Sequence, residues 1–319
     1  MGDDMKIRLG YVSISKALDI TTSTTITFTN FIKENRPYDK LTRIINTNLD
    51  NLEKILTYNI KNNLHFYRLT SKLIPLATHK EVNFDYLKPF KSRFKKLGNM
   101  INKNNLRVDT HPDQFCVLNS TNKEVVENSI DILKYHYKIL DALNIKNKVI
   151  IIHVGGNSFG KQKSISRFIN NFNKLPIYLK KSIVIENDDK IFNLEDVLFI
   201  SKKTNIPVVL DYHHFLCNRT EKNIEELIED VFKTWKNNRP KIHFSSPKSK
   251  LKKEFRSHHD YINSDTFIDF IEKIKFIKKD FDVMIEAKAK DDALYRLTRE
   301  IKYKTNYKFI DESTFMVDL

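Results

Sequence analysis

Five histidines and three carboxylates could each put a metal-ligand side chain at the carboxyl end of a short apolar run: His111, His153, Glu186, Asp211, His214, His243, His258 and Glu286. The runs read Arg107-Val-Asp-Thr-His111, Val149-Ile-Ile-Ile-His153, Ile183-Val-Ile-Glu186, Val208-Val-Leu-Asp211, Lys241-Ile-His243 and Val283-Met-Ile-Glu286. Imidazoles and carboxylates suit zinc, manganese or iron. Eight such groups exceed the needs of one ion and fit two or three ions sharing a bridging carboxylate. Glu186, near the middle of the ligand order, is the best candidate for the bridge. Metals roughly 4 Å apart can clamp the attacking and leaving oxygens of a phosphodiester, and they lower the pKa of a bound water. Period-two alternation puts Asp211 and His213 on one face, and Lys241 and His243 likewise. His214 then lies just past a strand end, where the chain can turn it inward. A lone His in such a position is more often a hydrogen-bonded structural residue, and a lone Asp or Glu can cap the next helix. His65, His79, His136 and His259 keep that structural reading, and His258 is the weakest ligand because no strand precedes it. The whole series points to one shared site.

Strand ends converge in this way at the carboxyl face of an αβ-barrel, where the active sites of such folds lie. The spacing predicts strands at 7–12, 65–70, 107–111, 149–154, 183–187, 207–211, 241–245 and 283–287. They are short and rich in β-branched residues, as parallel strands buried on both faces are. Between them, residues 38–62, 122–143, 221–235 and 264–277 read as helices, the second with apolar Val125, Val126, Ile130, Ile132, Leu133, Tyr137, Leu140 and Leu143, which suits one helix face. Asn193-Leu-Glu-Asp196 and Ser264-Asp-Thr-Phe267 look like helix starts. Only the first connection, 13–64, is long, and it includes the Thr-rich stretch from Thr21 to Thr29. No Gly-rich phosphate loop is present; Gly155-Gly156 reads as a tight turn.

The expected fold is therefore α/β, a single (β/α)8 barrel occupying residues 1–319, with its metal site at the C-terminal face of the strands. Such a barrel takes about 250 residues or more, and this chain has 319, of which 40% are hydrophobic. No run approaches the roughly 18 apolar residues of a membrane span. Met1-Gly-Asp-Asp-Met5 is acidic and lacks the apolar region of a secretory signal. Cys116 and Cys217 are too few for a disulfide framework and fit a reducing cytosol. The net charge of +15 and pI near 9.5 favour a polyanionic partner, nucleic acid above all, with the Lys- and Asn-rich composition of an AT-rich genome as the bland alternative.

Several longer motifs resemble the UV damage endonucleases. They are His111-Pro-Asp-Gln-Phe115, Ile152-His-Val-Gly-Gly156, Ile185-Glu-Asn-Asp188, Leu210-Asp-Tyr-His-His-Phe215, Lys241-Ile-His-Phe-Ser-Ser-Pro247, Arg256-Ser-His-His-Asp-Tyr261 and Met284-Ile-Glu-Ala-Lys288. Arg8-Leu-Gly-Tyr-Val12, Tyr67-Arg-Leu-Thr-Ser71 and Ile74-Pro-Leu-Ala-Thr-His79 extend the likeness, which runs from about residue 6 to about 300. The resemblance implies a xylose-isomerase-like barrel that acts on UV-damaged double-stranded DNA. It nicks immediately 5′ to a cyclobutane dimer or 6-4 photoproduct, leaving a 3′-hydroxyl and a 5′-phosphate. It implies up to three manganese ions held by the eight residues named above, with Glu186, Lys241 and His243 at the chemistry. Lys241 matches a lysine that can be carboxylated, which requires a neutral amine; otherwise it would bind phosphate. Gln114 and Phe115 match a wedge that takes the place of the flipped lesion. Tyr11 matches a lesion-pocket residue, and Arg68, Ser71 and Lys288 are candidate phosphate contacts. Some relatives carry Tyr in place of Phe115 and Asn in place of Ser15. A monomer in the cytoplasm, on the nucleoid if bacterial, completes the expectation. The competing readings are an abasic-site endonuclease on the same barrel, a sugar isomerase, and a lesion-binding protein that does not cut.

Overall fold

A computed structural model of the chain describes residues 4–318. Among these, the parallel strands are β1 (Met5–Val12), β2 (Phe66–Leu69), β3 (Arg107–Thr110), β4 (Ile150–His153), β5 (Ile183–Glu186), β6 (Val208–Asp211), β7 (Lys241–Phe244) and β8 (Phe281–Ile285). Each pairs with the next, and β1 pairs in parallel with both β8 and β2, so the ring closes as a (β/α)8 barrel. Two strands were not anticipated, β9 (Lys308–Phe309) and β10 (Thr314–Val317). They are too short for alternation to reveal. β10 runs antiparallel to the first half of β1, Met5 facing Val317 and Arg8 facing Thr314.

Helices Pro37–Lys61, Lys123–Ala142 and Ile224–Thr234 lie where periodicity puts them, and their buried residues follow the apolar stripe. The helix at Leu194–Thr204 starts at the expected Asn193, which forms a capping box with Asp196. The helix Ser264–Ile274 is capped one residue earlier than expected. Asn263 accepts from the amide of Thr266 at 2.9 Å, and a 3-10 turn, Lys275–Ile277, finishes the element. β8 begins two residues before the expected 283, since the expectation counted apolar residues and stopped at Asp282. That acid is an inward barrel position, its amide donating to the Pro240 carbonyl at 3.0 Å.

Register fixes which side chains fill the barrel, because residues paired across parallel strands share a face. The pairings Arg8–Asp282–Lys241, Gly10–Phe66–Arg107 and Arg68–Asp109 turn a charged wall inward on β1, β2, β3, β7 and β8. The other wall is apolar: Val149, Ile151, Val184 and Val209 cluster with Trp235. Gly10 must be glycine, since a Cβ there would come within 2.5 Å of the Phe66 carbonyl and 2.7 Å of its ring. At the amino end of the strands Asp282 is fully buried under three guanidiniums. Arg8 grips it through Nε and Nη2 at 2.7 and 2.8 Å, Arg107 through Nη1 at 2.7 Å, and Arg239 through Nε at 2.8 Å. Burial alone would raise the Asp282 carboxyl; Arg107, Arg8 and Arg239 outweigh it and hold the group below its usual range. No helix among the described residues is long and apolar enough to cross a membrane.

Candidate metal centre

Glu186 ends β5 at the carboxyl mouth of the barrel, 1% exposed, and each of its oxygens faces a different set of imidazoles. Oε2 lies 3.1 Å from His111 Nε2 and 3.8 Å from His153 Nε2. Oε1 lies 2.8 Å from His243 Nδ1 and 3.7 Å from His214 Nδ1. Three groups of potential ligand atoms result, each mutually within 4.8 Å: His111, His153 and Glu186; Glu186, Asp211 and His214; Asp211, His243 and Glu286. Glu186 and Asp211 each belong to two groups, which is the layout of shared carboxylates between neighbouring ions. The buried Asp211 Oδ2 has no hydrogen-bond partner, a costly state for a carboxylate that a cation would relieve. The donor set fits divalent metal.

His111 donates from Nδ1 to the Pro112 carbonyl at 2.8 Å, which leaves Nε2 with its lone pair toward Glu186. Burial, then the Arg68 charge, lowers His111 to about 4 and drives His243 well below the usual imidazole value. Burial lowers His153 as well. All three are neutral, the form that ligates metal. Burial also raises Glu186, and it lifts Asp211 to about 6. Burial opposes charge on His214 too, but Asp211, Glu186 and Glu286 carry it up to about 9. His214 therefore holds a proton at neutral pH that a metal bound there would have to displace. Since that proton competes below about 9, affinity for a divalent metal should rise about tenfold per pH unit near neutrality and flatten above it. Calorimetry in buffers of different ionisation heat should register about one proton released per ion set at pH 7; affinity that does not change between pH 6 and pH 8 would contradict this account.

The alternation argument for His213 fails, for a local reason. Asp211 ends β6 and caps a short helix, Tyr212–Cys217, accepting from the His214 amide at 2.8 Å. The helix carries His214 inward and turns His213 away, fully buried beside Phe255 and His258. His258 gains its place from a β-bridge with Pro247 and lies 6.3 Å from His214 between ring centres. Two residues that pack against the candidate ligands and Lys241 were missed. Asn187 bonds both ways with the Asp211 backbone, at 2.9 and 3.0 Å, and its carbonyl takes the His214 Nδ1 proton at 3.0 Å. Its only signal was its place beside Glu186. Asp109, fully buried, pairs with Lys241; it sits two residues before His111, so alternation could have found it.

A family model described as "UV-endonuclease UvdE" matches residues 7–315. The chain belongs to the UvdE family. A UV DNA damage endonuclease of Bacillus cereus (strain G9842) is 44% identical over 303 residues, covering 93% of this chain and 95% of its own. The crystal structure of SacUVDE superimposes with a TM-score of 0.85 at 34% identity, over 93% of this chain and 98% of that one. Endonuclease IV from Thermus thermophilus, at 10% identity and a TM-score of 0.56 over 93% of this chain and 100% of that one, shares the barrel alone.

Within this UvdE-family barrel the remaining expected residues are dispersed. Gln114 and Phe115 stand out on the loop after β3, Phe115 74% exposed. Lys288 is exposed on the same rim, its Nζ 4.0 Å from Asp260. Ser71 donates to Asp113 at 3.0 Å, beside the Gln114-Phe115 pair. Tyr11 is not brought to the site. Its neighbour Gly10 points inward, so its own ring faces the helices, where its hydroxyl donates to Asn59 at 2.7 Å. Arg68 is not a surface cation. It lies 5% exposed inside the barrel, 2.5 Å from both Glu286 Oε1 and His243 Nε2, where it offsets carboxylate charge. Lys241 is fully buried against Asp109 and over the Phe66 ring at 4.9 Å; burial lowers its amine to about 7.

Proposed function

We propose that this chain is a metal-dependent endonuclease that nicks double-stranded DNA immediately 5′ to cyclobutane dimers and 6-4 photoproducts, leaving a 3′-hydroxyl and a 5′-phosphate. The observation that carries the reading is Glu186, whose two oxygens face two separate sets of imidazoles at 2.8 to 3.8 Å. His111, His153, Glu186, Asp211, His214, His243, His258 and Glu286 would hold two or three manganese ions. Such ions supply a nucleophilic water at neutral pH and neutralise charge on the phosphoryl oxygens. The chain's own residues do the rest. Neutral His111, His153 and His243 offer lone pairs, His214 releases its proton on loading, and Arg68 offsets surplus carboxylate charge when fewer ions are bound.

Lesion choice would come from Gln114 and Phe115. An aromatic ring stacked on a base is worth about 1–3 kcal/mol, and extruding a poorly stacked lesion costs less than extruding normal bases. Exposed Lys288 would meet a phosphate. Residues 1–319 would act as one domain and as a monomer on chromosomal DNA in a reducing cytosol. A carboxylated Lys241 is part of the proposal. An amine lowered to about 7 is substantially neutral at physiological pH and so can take up carbon dioxide. The carbamate would have to leave Asp109 for the metal side. Lys241→Arg keeps the charge and cannot be carboxylated, so a loss of nicking of about 10-fold or more is expected; full activity in that variant would dismiss the carbamate.

The function is tested by a labelled duplex carrying one thymine dimer, run beside an abasic and an undamaged duplex, with manganese or with chelator. Manganese-dependent cutting just 5′ to the dimer, with a 3′-hydroxyl end, is expected. Cutting of the abasic duplex alone would contradict the assignment.

A further inference from the structure

Phe159 combines three features that no other aromatic residue among those described shares. It is 76% exposed, marginally more than the Phe115 of the wedge. It stacks on no other ring among the described residues. Its backbone is left-handed, φ 62°, a conformation that is unfavourable for a bulky L-residue and persists only when its surroundings hold it. Leu76 has the same backbone region, but its side chain packs on the core and gains from doing so. Phe159 buries little in return.

The surroundings that hold Phe159 also hold the wedge loop. Phe159 follows metal-ligand candidate His153 on the loop after β4; Phe115 follows His111 on the loop after β3. Asn119, at the far end of the wedge loop, donates to the Gly156 carbonyl at 2.6 Å and accepts from its amide at 3.2 Å. The fit is close enough that Gly155, at φ 114°, has no room for a Cβ, which would lie 2.3 Å from Asn119 Oδ1. Arg167 completes the clamp, donating from Nε to the Asn119 carbonyl at 2.9 Å and from Nη2 to the Ser158 carbonyl at 2.6 Å. The two exposed rings are thus carried on one braced unit at the carboxyl face of the barrel, and exposed Lys163 follows the second of them.

From this geometry we infer that Phe159 is a second DNA-contacting ring, which stacks on a base at the lesion when the duplex is opened. The inference rests on the function proposed above. Extruding bases exposes two faces of the remaining stack, and one ring can cover only one of them. Two rings fixed relative to each other would cover both and set the width of the gap, favouring a two-base lesion over a single missing base.

The experiment compares unaltered protein, Phe115→Ala, Phe159→Ala, Phe159→Gly and Phe159→Trp for binding to a dimer duplex and an undamaged duplex, and for thermal stability. Phe159→Ala should weaken dimer binding by about 5- to 150-fold, the range for one lost base–aromatic stack, and Phe159→Trp should restore it. Phe159→Gly should lose the same affinity while melting no lower than the unaltered protein, because glycine accepts this backbone; a merely structural ring would lower the melting temperature instead. With 2-aminopurine beside the dimer, the unaltered protein should leave the probe dimmer than Phe159→Ala does. Dimer binding by Phe159→Ala within twofold of the unaltered protein overturns the inference alone if Phe115→Ala still loses its lesion preference. No lesion preference in the unaltered protein overturns the proposed function and this inference together.

Discussion

Glu186→Gln should lower nicking at a dimer by about 10³-fold or more, equivalent to about 4 kcal/mol of transition-state stabilisation. The substitution keeps the shape of the side chain and removes its charge. One end then presents an amide NH2 group to one of the two imidazole sets that the carboxylate oxygens now face at 2.8 and 3.1 Å. An NH2 group cannot ligate a cation, so the shared carboxylate is lost and fewer ions are retained. Lesion binding should stay within a few-fold, because Gln114 and Phe115 stand on a separate exposed loop. The check is nicking and dimer binding measured on the same preparation, with bound metal counted. Cutting within about tenfold of the unaltered protein would remove Glu186 from the bridge.

The second large effect lies at the opposite end of the barrel. Asp282→Asn leaves Arg8, Arg107 and Arg239 facing one another around a buried amide. Removing one partner of a buried ion network costs about 3–5 kcal/mol, which for a chain of this size lowers the melting temperature by roughly 5–7 °C. Because the folded pKa of Asp282 is lowered, its stabilisation is complete above the unfolded value near 4 and is lost only as pH falls through the lower folded value. The difference between the two proteins should therefore persist at pH 7 and shrink in strong acid. Nicking at 25 °C should survive, since the cluster lies at the amino ends of the strands. Equal melting temperatures at pH 7 would show that the arginines, and not the acid, hold the barrel floor.

These two carboxylates also mark how much was legible in the amino-acid sequence. Glu186 ends an apolar run, so strand, ligand and position could be read together. The same logic found β3 to β7 within a residue or two and gathered seven of the candidate ligands into groups at one mouth, His258 lying outside those groups. Asp282 lies inside a strand, where a charge reads as a boundary, and its neutralising arginines come from β1, β3 and the loop before β7. Such pairing is visible only once the ring is closed. Arg68 illustrates the same limit: a candidate phosphate contact by motif, it turns its cation into the barrel because strand parity puts it there. His213 and His214 differ by one residue and face opposite ways, because Asp211 starts a helix where alternation expects more strand. That the Tyr11 ring faces the helices was hidden for want of parity alone, since Gly10 takes the inward position. The left-handed backbone of Phe159 has no sequence signal at all.

In the function proposed above, the ring of imidazoles and carboxylates is a multinuclear centre that cuts damaged DNA. The most direct test is a manganese titration of metal-stripped protein, with bound ions and nicking of a single-dimer duplex read at each step. Two or three ions per chain should bind, and cutting should appear only as the second is filled. Full cutting with one ion per chain, or cutting that persists in chelator, would contradict the shared role given to Glu186 and Asp211.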